Sequence, residues 1–512
     1  MPSPAQVSKF HITAQPATAA LSHFDVVDEA KVPVYTGAPP PAESHEIEER
    51  HAPLAVPQSR VAPLPLHASS ALQAHGFNGV SQPYRSGVLR PDMAIASGPA
   101  GILQSVNTQV AFYDRSGQMK KGWPKEAAQV FGLPKSHFMV DPRAAYDTWD
   151  NRYWLAFLDR DTKHTYFVAV SQTGDPNGKW NVYGFDVAAG SRQLPDFTMF
   201  GFDRTTVSLS SRVDTERSGS NFVLNNGIWV LPKQALESGQ KTTAKGFLYV
   251  SIDGTPLDTI QPAIVQKGFS GELPGQMFLS TYGFDFRCTT GKPHPCTEMF
   301  AFLIQSGPSG LTLQSTAIAT PPYTYTPAAS TKACNYCLEA VGPMITNSPI
   351  FWNGNLYFAY GLGVNALKTL DPAVRWGELT PSFSGGALSG GTLAQSGTIK
   401  LPGALGAFFP SWTTDATGNF YVLFDASGRT LNPSIYVAAR RPSDPVNTMS
   451  AERRLIRGRA APQSDYSSGS YRYTAYGDFS AASFDPQTGV WVASQYGKTV
   501  AKYGTLVANV RL

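Results

Sequence analysis

Apolar and polar positions along this chain alternate in short runs of period two, broken by Gly, Pro and Asp; long helices are not indicated. The pattern is clearest from Tyr471 to Gly497, YRYTAYGDFSAASFDPQTGVWVASQYG. There Phe479, Ala481 and Ser483 share one parity and Ser480, Ala482 and Phe484 the other, and all are small or aromatic. Such a run predicts a short strand buried on both faces. Asp485 to Gly489, DPQTG, then supplies a turn: the Asp side chain accepts from backbone N–H groups, Pro fixes φ, and Gly permits positive φ. A second strand follows over Val490 to Tyr496, rich in β-branched and aromatic residues. The unit is a tight hairpin introduced by an acid, Asp478.

The same pattern returns upstream. Around Asp92 the chain reads RPDMAIASGPAGILQSVNTQVAFYDRSG, around Asp141 HFMVDPRAAYDTWDNRYWLAFLD, and from Leu194 LPDFTMFGFDRTTVSLSS, led by Asp196. Weaker copies begin near Gln261-Pro262, Gly342-Pro343 and Phe409-Pro410. The starts fall near residues 92, 141, 196, 262, 343, 410 and 478. Four short strands need roughly 40 to 50 residues, so each interval fits one propeller blade with its loops. The expected fold is all-β: a β-propeller, seven-bladed by this count, over residues 76–512. Residues 1–75, rich in Ala, Pro and Ser with no sustained period, read as an extended arm or linker.

Composition agrees with an all-β chain. Charged residues are 15% of the 512, aromatic residues 12%, and turn formers abound with 46 Gly and 40 Pro. The net charge of +4 conceals an acidic stretch, where Asp25, Asp28, Glu29, Glu43, Glu46, Glu48 and Glu49 face only Lys31 and Arg50. The body is therefore basic, and the arm either lies on it or is simply solvated. No apolar run is long enough for a membrane span. Met1-Pro-Ser-Pro-Ala-Gln does not begin a signal peptide, so the chain reads as cytosolic or as a mature exported form. The cysteines form two local pairs, Cys288 with Cys296 and Cys334 with Cys337. Two small disulfide loops suit an oxidising compartment. A four-thiol zinc site is the rival, weakened by the wide first spacing, CTTGKPHPC.

DPRAAYD, SQTGDPNGKW, LPDFTMFGFD and YGDFSAASFD resemble motifs of a bacterial group of secreted, mostly uncharacterised β-propeller proteins. The resemblance covers roughly residues 90–235 and 470–497, and departs at Val140, where the group has Gly, and at Tyr476, where it has Trp. It implies a secreted or periplasmic propeller and carries no agreed activity.

In such a fold the leading acids Asp92, Asp141, Asp196 and Asp478 fall where inner strands begin, and would form a ring of carboxylates around the axis. A ring of that kind binds Ca2+ through oxygen ligands, or lets two members act as acid and base on a glycosidic bond. The alternative is architectural, each Asp capping free N–H groups at its own strand start. Arg90, Arg143 and Arg204 lie close in sequence and suit bidentate binding of a carboxylate or sulfate, with Tyr146 and Tyr476 as further binding candidates. Arg440, Arg441, Arg453, Arg454, Arg457 and Arg459 could meet an anionic polymer, or form a solvated loop. No nucleic-acid motif, G-x-S-x-G elbow, P-loop or dinucleotide fingerprint is present. Of the histidines, only His137 and His164 fall well inside expected blades, and both read as structural. Three functions fit: a secreted propeller binding a carbohydrate or other surface polymer, a glycoside hydrolase or lyase using the funnel Asp, Arg and Tyr, and an assembly subunit docking through its arm.

Overall fold

A computed structural model describes residues 11–34, 72–80, 91–160, 165–187, 193–217, 221–223, 225–269, 271–282, 295–366, 369–449, 452–461, 467–468, 471–472, 476–500 and 502–512. Regular structure there is almost entirely strand; the α-helices are the single turns Ala127–Val130 and Lys233–Glu237. Among the described residues no helix is long and apolar enough to cross a membrane.

The hairpin pattern builds antiparallel groups of four strands. The first runs from Ala94–Gly98 out to Lys125–Glu126, the second from Met139–Asp147 to Lys179–Asp186, and the third from Gln193–Phe202 to Ala244–Ile252. A fourth runs from Gln261–Pro262 to Gly310–Tyr323, a fifth from Ile350–Trp352 to Ala387–Ile399, and a sixth from Gly406–Thr414 to Arg453–Gly458. The last comprises Ala481–Phe484, Val490–Thr499 and Lys502–Arg511, and takes its outer strand, Gln73–Asn78, from the other end of the chain. The expected arm boundary at residue 75 thus falls inside a strand.

The groups do not stand as seven separate sheets, because two segments stitch three of them into one sheet of sixteen strands. Ile12–Asp28 lies along two outer edges at once, pairing Ile12 to Ala19 with Ile252 to Ala244 and Ala20 to Asp28 with Asp186 to Lys179. Nearer the centre, Ile264–Val265 pairs in parallel with Phe202 on one side and with Ile350 and Phe351 on the other. Part of the predicted arm is therefore sheet. Its end is pinned where the Glu29 N–H donates to the Gly178 carbonyl at 3.0 Å and the buried Lys125 Nζ meets Glu29 Oε2 at 3.1 Å.

First strands of six of the groups, with Ile264 of the stitching segment, face a narrow cavity of about 50 Å3, lined among others by Ile95, Ala144, Phe200, Ile350, Trp412 and Ala481. Between sheets the core is aromatic, with Trp154, Trp180, Trp229, Trp376, Trp412 and Trp491 fully buried. The hairpin acids do what turn chemistry requires. Asp485 accepts from the Gln487 N–H, Asp203 from Thr205 and Thr206, and Asp415 from Thr417 and Asn419.

Deleting residues 1–34 strips the covering strand from the edges at 179–186 and 244–252. The expected result is a fall in Tm on the order of 5 °C together with concentration-dependent association, read by calorimetry and light scattering. An unchanged Tm would show that the strand contributes no stability.

Candidate functional site

Three first strands carry the same local irregularity. Pairing slips between Val140 and Arg143, between Asp196 and Met199, and between Phe408 and Ser411. Each bulge holds one residue at positive φ: Asp141 at 54°, Phe197 at 51° and Phe409 at 48°. Such a conformation costs an L-residue about 1–3 kcal/mol and persists only where its surroundings over-determine it.

The surroundings are a relay of buried hydrogen bonds. Asp92 accepts at Oδ1 from the Asp478 N–H, 2.6 Å, and at Oδ2 from Asn107 Nδ2, 2.7 Å. Asn107 in turn accepts at Oδ1 from the Asp141 N–H, 2.8 Å. Asp141 Oδ2 then accepts from the Phe197 N–H, 3.0 Å, and the Asp141 carbonyl accepts from the Thr198 hydroxyl. One polar chain thereby links the last, first, second and third groups. Asp92 and Asp141 thus accept N–H groups at strand starts, as the architectural alternative expects.

Asp196 stands aside, half-buried and paired with Arg160 at 3.2 Å. Arg143 lies at the centre with only 7% exposure. Its Nε donates to the Thr198 carbonyl at 2.6 Å, its Nη1 to Asn347 Oδ1 at 3.2 Å, and its guanidinium covers the Phe479 ring at 3.7 Å. Burial holds the guanidinium down to about 10, opposed by Asp141, Tyr166, Asp92 and Asp478, so it remains a cation at neutral pH. Burial also pushes the Asp141 carboxyl up to about 7, reinforced by Asp196 and Asp478 and opposed by Arg160 and Arg143. Asp92, Asp141 and Asp478 do converge, with both Asp92 oxygens and Asp141 Oδ2 engaged.

The remaining candidates scatter. Tyr476 is buried, donates to the Gln495 carbonyl at 3.0 Å and packs on Phe408 and Phe409. Tyr146 sits five residues beyond Asp141, roughly 16 Å along the strand, and donates to Asn151 at 2.5 Å. Arg204 lies over Trp149 with 5.8 Å to the ring centroid, at the hairpin end and away from the acids. Arg90, Cys288 and His164 lie outside the described residues. Cys296 is disulfide-bonded, and Cys334 is joined to Cys337, which removes the four-thiol zinc reading. In the arginine cluster, Arg440 is buried against Glu378 and Trp376, while Arg453, Arg454, Arg457 and Arg459 are exposed.

A Ca2+ ion fits the axis poorly, since N–H donors already engage both Asp92 oxygens and Asp141 Oδ2, and Arg143 adds a cation among them. The carboxylates of Asp147, Asp150 and Glu237 approach one another within 4.8 Å at the other end of the strands. There Lys233 Nζ, 2.7 Å from both Asp147 Oδ2 and Asp150 Oδ2, already supplies the positive charge.

Sequence reading missed two features. Asn107 sits in a polar turn, and only the fold places it between two acids. The segment after Tyr323 caps the strand starts: Ala329, Leu338, Ala340, Val341 and Met344 pack with Phe197, Phe408, Phe409, Tyr476 and Phe479.

No protein-family model and no curated protein matches the chain. Among solved structures, Trypanosoma rangeli sialidase aligns over 84% of this chain and 60% of its own, at 11% identity and a TM-score of 0.35. A protein of unknown function from Dyadobacter fermentans aligns over 73% of this chain and 95% of its own, at 10% identity and TM-score 0.30. A thermostable family-43 glycoside hydrolase aligns over 73% and 88%, at 10% identity and TM-score 0.29. The chain thus spans 60% of the sialidase's length. None is similar enough to assign chemistry to it.

Asn107→Ala removes two buried hydrogen bonds, one of them to a carboxylate, and should cost about 3 kcal/mol, seen as a lower urea midpoint at unchanged slope. A raised carboxyl pKa means that the folded chain keeps protons the unfolded chain has released. Asp141, Glu126 and Glu237 are all pushed to about 7 and Glu29 to about 8, so stability falls as pH rises from about 4.5 to 8. Tm should be higher at pH 5 than at pH 8, and Asp141→Asn, which keeps an acceptor for the Phe197 N–H, should lose less across that interval.

Proposed function

We propose that the chain is a seven-bladed, secreted β-propeller that binds a carbohydrate or other surface polymer on the face where its first strands begin, without cleaving it. Seven groups of four strands, six of which line one central cavity together with Ile264, support the propeller reading. The disulfides at Cys296 and Cys334–Cys337 suit an exported protein, and the motifs shared with secreted bacterial propellers point the same way.

The observation that carries non-catalytic binding is the state of the axial acids. Asp92 and Asp141 are buried, spend carboxylate oxygens on backbone or Asn107 donors, and lie where Ala329 to Met344 cap the strand starts. A hydrolase needs two carboxyl groups open to one sugar. What the cap exposes instead is Lys332, Asn335 and Tyr336, an aromatic ring flanked by donors and acceptors, the combination that stacks on and hydrogen-bonds to a sugar.

The hydrolase or lyase reading keeps one specific support, the Asp141 carboxyl at about 7 beside Asp196, Asp478 and Arg143. Docking through the arm has less, because Ile12–Asp28 is already paired along both edges within its own chain.

A glycan and anionic-polymer array, read for both retention and released product, separates these readings. Binding without product is expected, unaffected by chelator, weakened about tenfold by Tyr336→Ala and unchanged by Asp141→Asn. Product formation abolished by Asp141→Asn would replace the binding reading with the hydrolytic one.

A further inference from the structure

The cap that covers the axis is closed by a disulfide of unusual placement. Cys334 and Cys337 are three residues apart and joined, with Cα atoms 5.9 Å apart. Constraining so short a loop removes little entropy from the unfolded chain, so the bond adds little to global stability. The two sulfurs are also unequal in access. Residues 332 to 336 form an exposed tip that includes Cys334, whereas Cys337 is 6% exposed.

A hydroxyl stands beside both sulfurs. Thr331 Oγ1 lies 3.3 Å from Cys334 Sγ and 3.9 Å from Cys337 Sγ, so one hydroxyl reaches both. Lys332, on the exposed tip, is the one charged residue from Thr324 to Leu338, and Glu339 lies half-buried just beyond the base of the loop. An accessible first sulfur, a sheltered second one, a C-x-x-C spacing and a cationic neighbour are the conditions that make a disulfide exchangeable.

The same bond holds the cap together. It closes a short loop whose base is the reciprocal pair Ala329 N–H to Leu338 carbonyl, 2.7 Å, and Leu338 N–H to Ala329 carbonyl, 2.9 Å. Within it the Thr331 N–H reaches the Cys334 carbonyl at 2.8 Å and the Cys337 N–H reaches the Ala329 carbonyl at 3.0 Å. Ala329 and Leu338 are among the cap residues that sit on the aromatic cluster of Phe197, Phe408, Phe409, Tyr476 and Phe479.

We propose that Cys334–Cys337 is a thiol–disulfide exchange site, and that its reduction loosens the cap over the axial acids. The thiolate of a glutathione-class thiol attacks the exposed Cys334 Sγ, forming a mixed disulfide, and the Cys334–Cys337 bond breaks with the electron pair leaving on Cys337 Sγ. That thiolate accepts a hydrogen bond from Thr331 and is protonated by solvent. A second thiolate attacks the glutathione sulfur of the mixed disulfide and releases Cys334 as a thiolate. Two thiols are oxidised to one disulfide, and the protein disulfide is reduced to a dithiol.

The test is equilibration of the full chain in glutathione redox buffers, followed by alkylation and peptide mass spectrometry, with the disulfide at Cys296 as internal reference. The Cys334–Cys337 pair should open in a buffer that leaves Cys296 oxidised. Cys337→Ser should accumulate a glutathione adduct on Cys334, and Cys334→Ser at least tenfold less on Cys337. Hydrogen exchange over residues 329–344 should quicken on reduction while the strands of the core stay protected. Resistance to reduction equal to that at Cys296, or equal trapping in the two variants, would overturn the exchange site; unchanged exchange in 329–344 would overturn the loosening of the cap. These readouts need no ligand and so stand or fall independently of polymer binding.

Discussion

The fold depends on a problem of strand starts. Where several sheets bring their first strands to a common centre, the leading N–H groups of those strands point away from any ladder partner, and a buried N–H without an acceptor costs as much as a lost hydrogen bond. Here the acceptors are side chains from the neighbouring group. Asp92 serves Asp478, Asn107 serves Asp141, and Asp141 serves Phe197. Because each acceptor sits on a different group from its donor, satisfying the backbone and fixing one sheet against the next are the same act. The strained bulges at Asp141 and Phe197 are held in place by it.

That arrangement bears on chemistry. Burying carboxyl groups near one another disfavours their charge, and Arg143 compensates from the centre without displacing the N–H donors. A strongly perturbed acid in a central position has the appearance of a catalytic group, since such shifts gather at active sites. Structural networks shift pKa values as well. What distinguishes the two is whether an oxygen faces open space, and both Asp92 oxygens and Asp141 Oδ2 face N–H groups.

Much of this was written locally in the sequence. Asp485 and Asp415 turn their hairpins as the DPQTG and DATG stretches require, and the bulges fall at Asp141-Pro142, next to Asp196, and at Phe409-Pro410, where the repeated pattern begins. Three things were not legible. Ile12–Asp28, ITAQPATAALSHFDVVD, is interrupted by Pro16 and has no clean alternation, because it changes partner midway and covers two sheet edges. Asn107 belongs to a turn whose polarity needs no explanation until Asp92 and Asp141 are seen on either side. The cap is built from Ala, Leu, Val and Met, whose meaning comes only from the aromatic residues beneath them. For the candidate site the pattern picked out Asp92, Asp141 and Asp478, which the relay joins, and Arg143 beside them, while Asp196 stands aside; the sequence alone does not give the direction of each hydrogen bond.

The account rests on Phe197 and Asp478 donating their N–H groups to buried carboxylates instead of to water. Native-state amide hydrogen exchange at those two residues tests it directly. If the relay is as described, both amides exchange only through the global unfolding reaction, as slowly as the amides of the central strand Arg152–Asp159. Exchange at rates typical of loop amides, independent of global stability, would contradict it and return the axial acids to consideration as free functional groups.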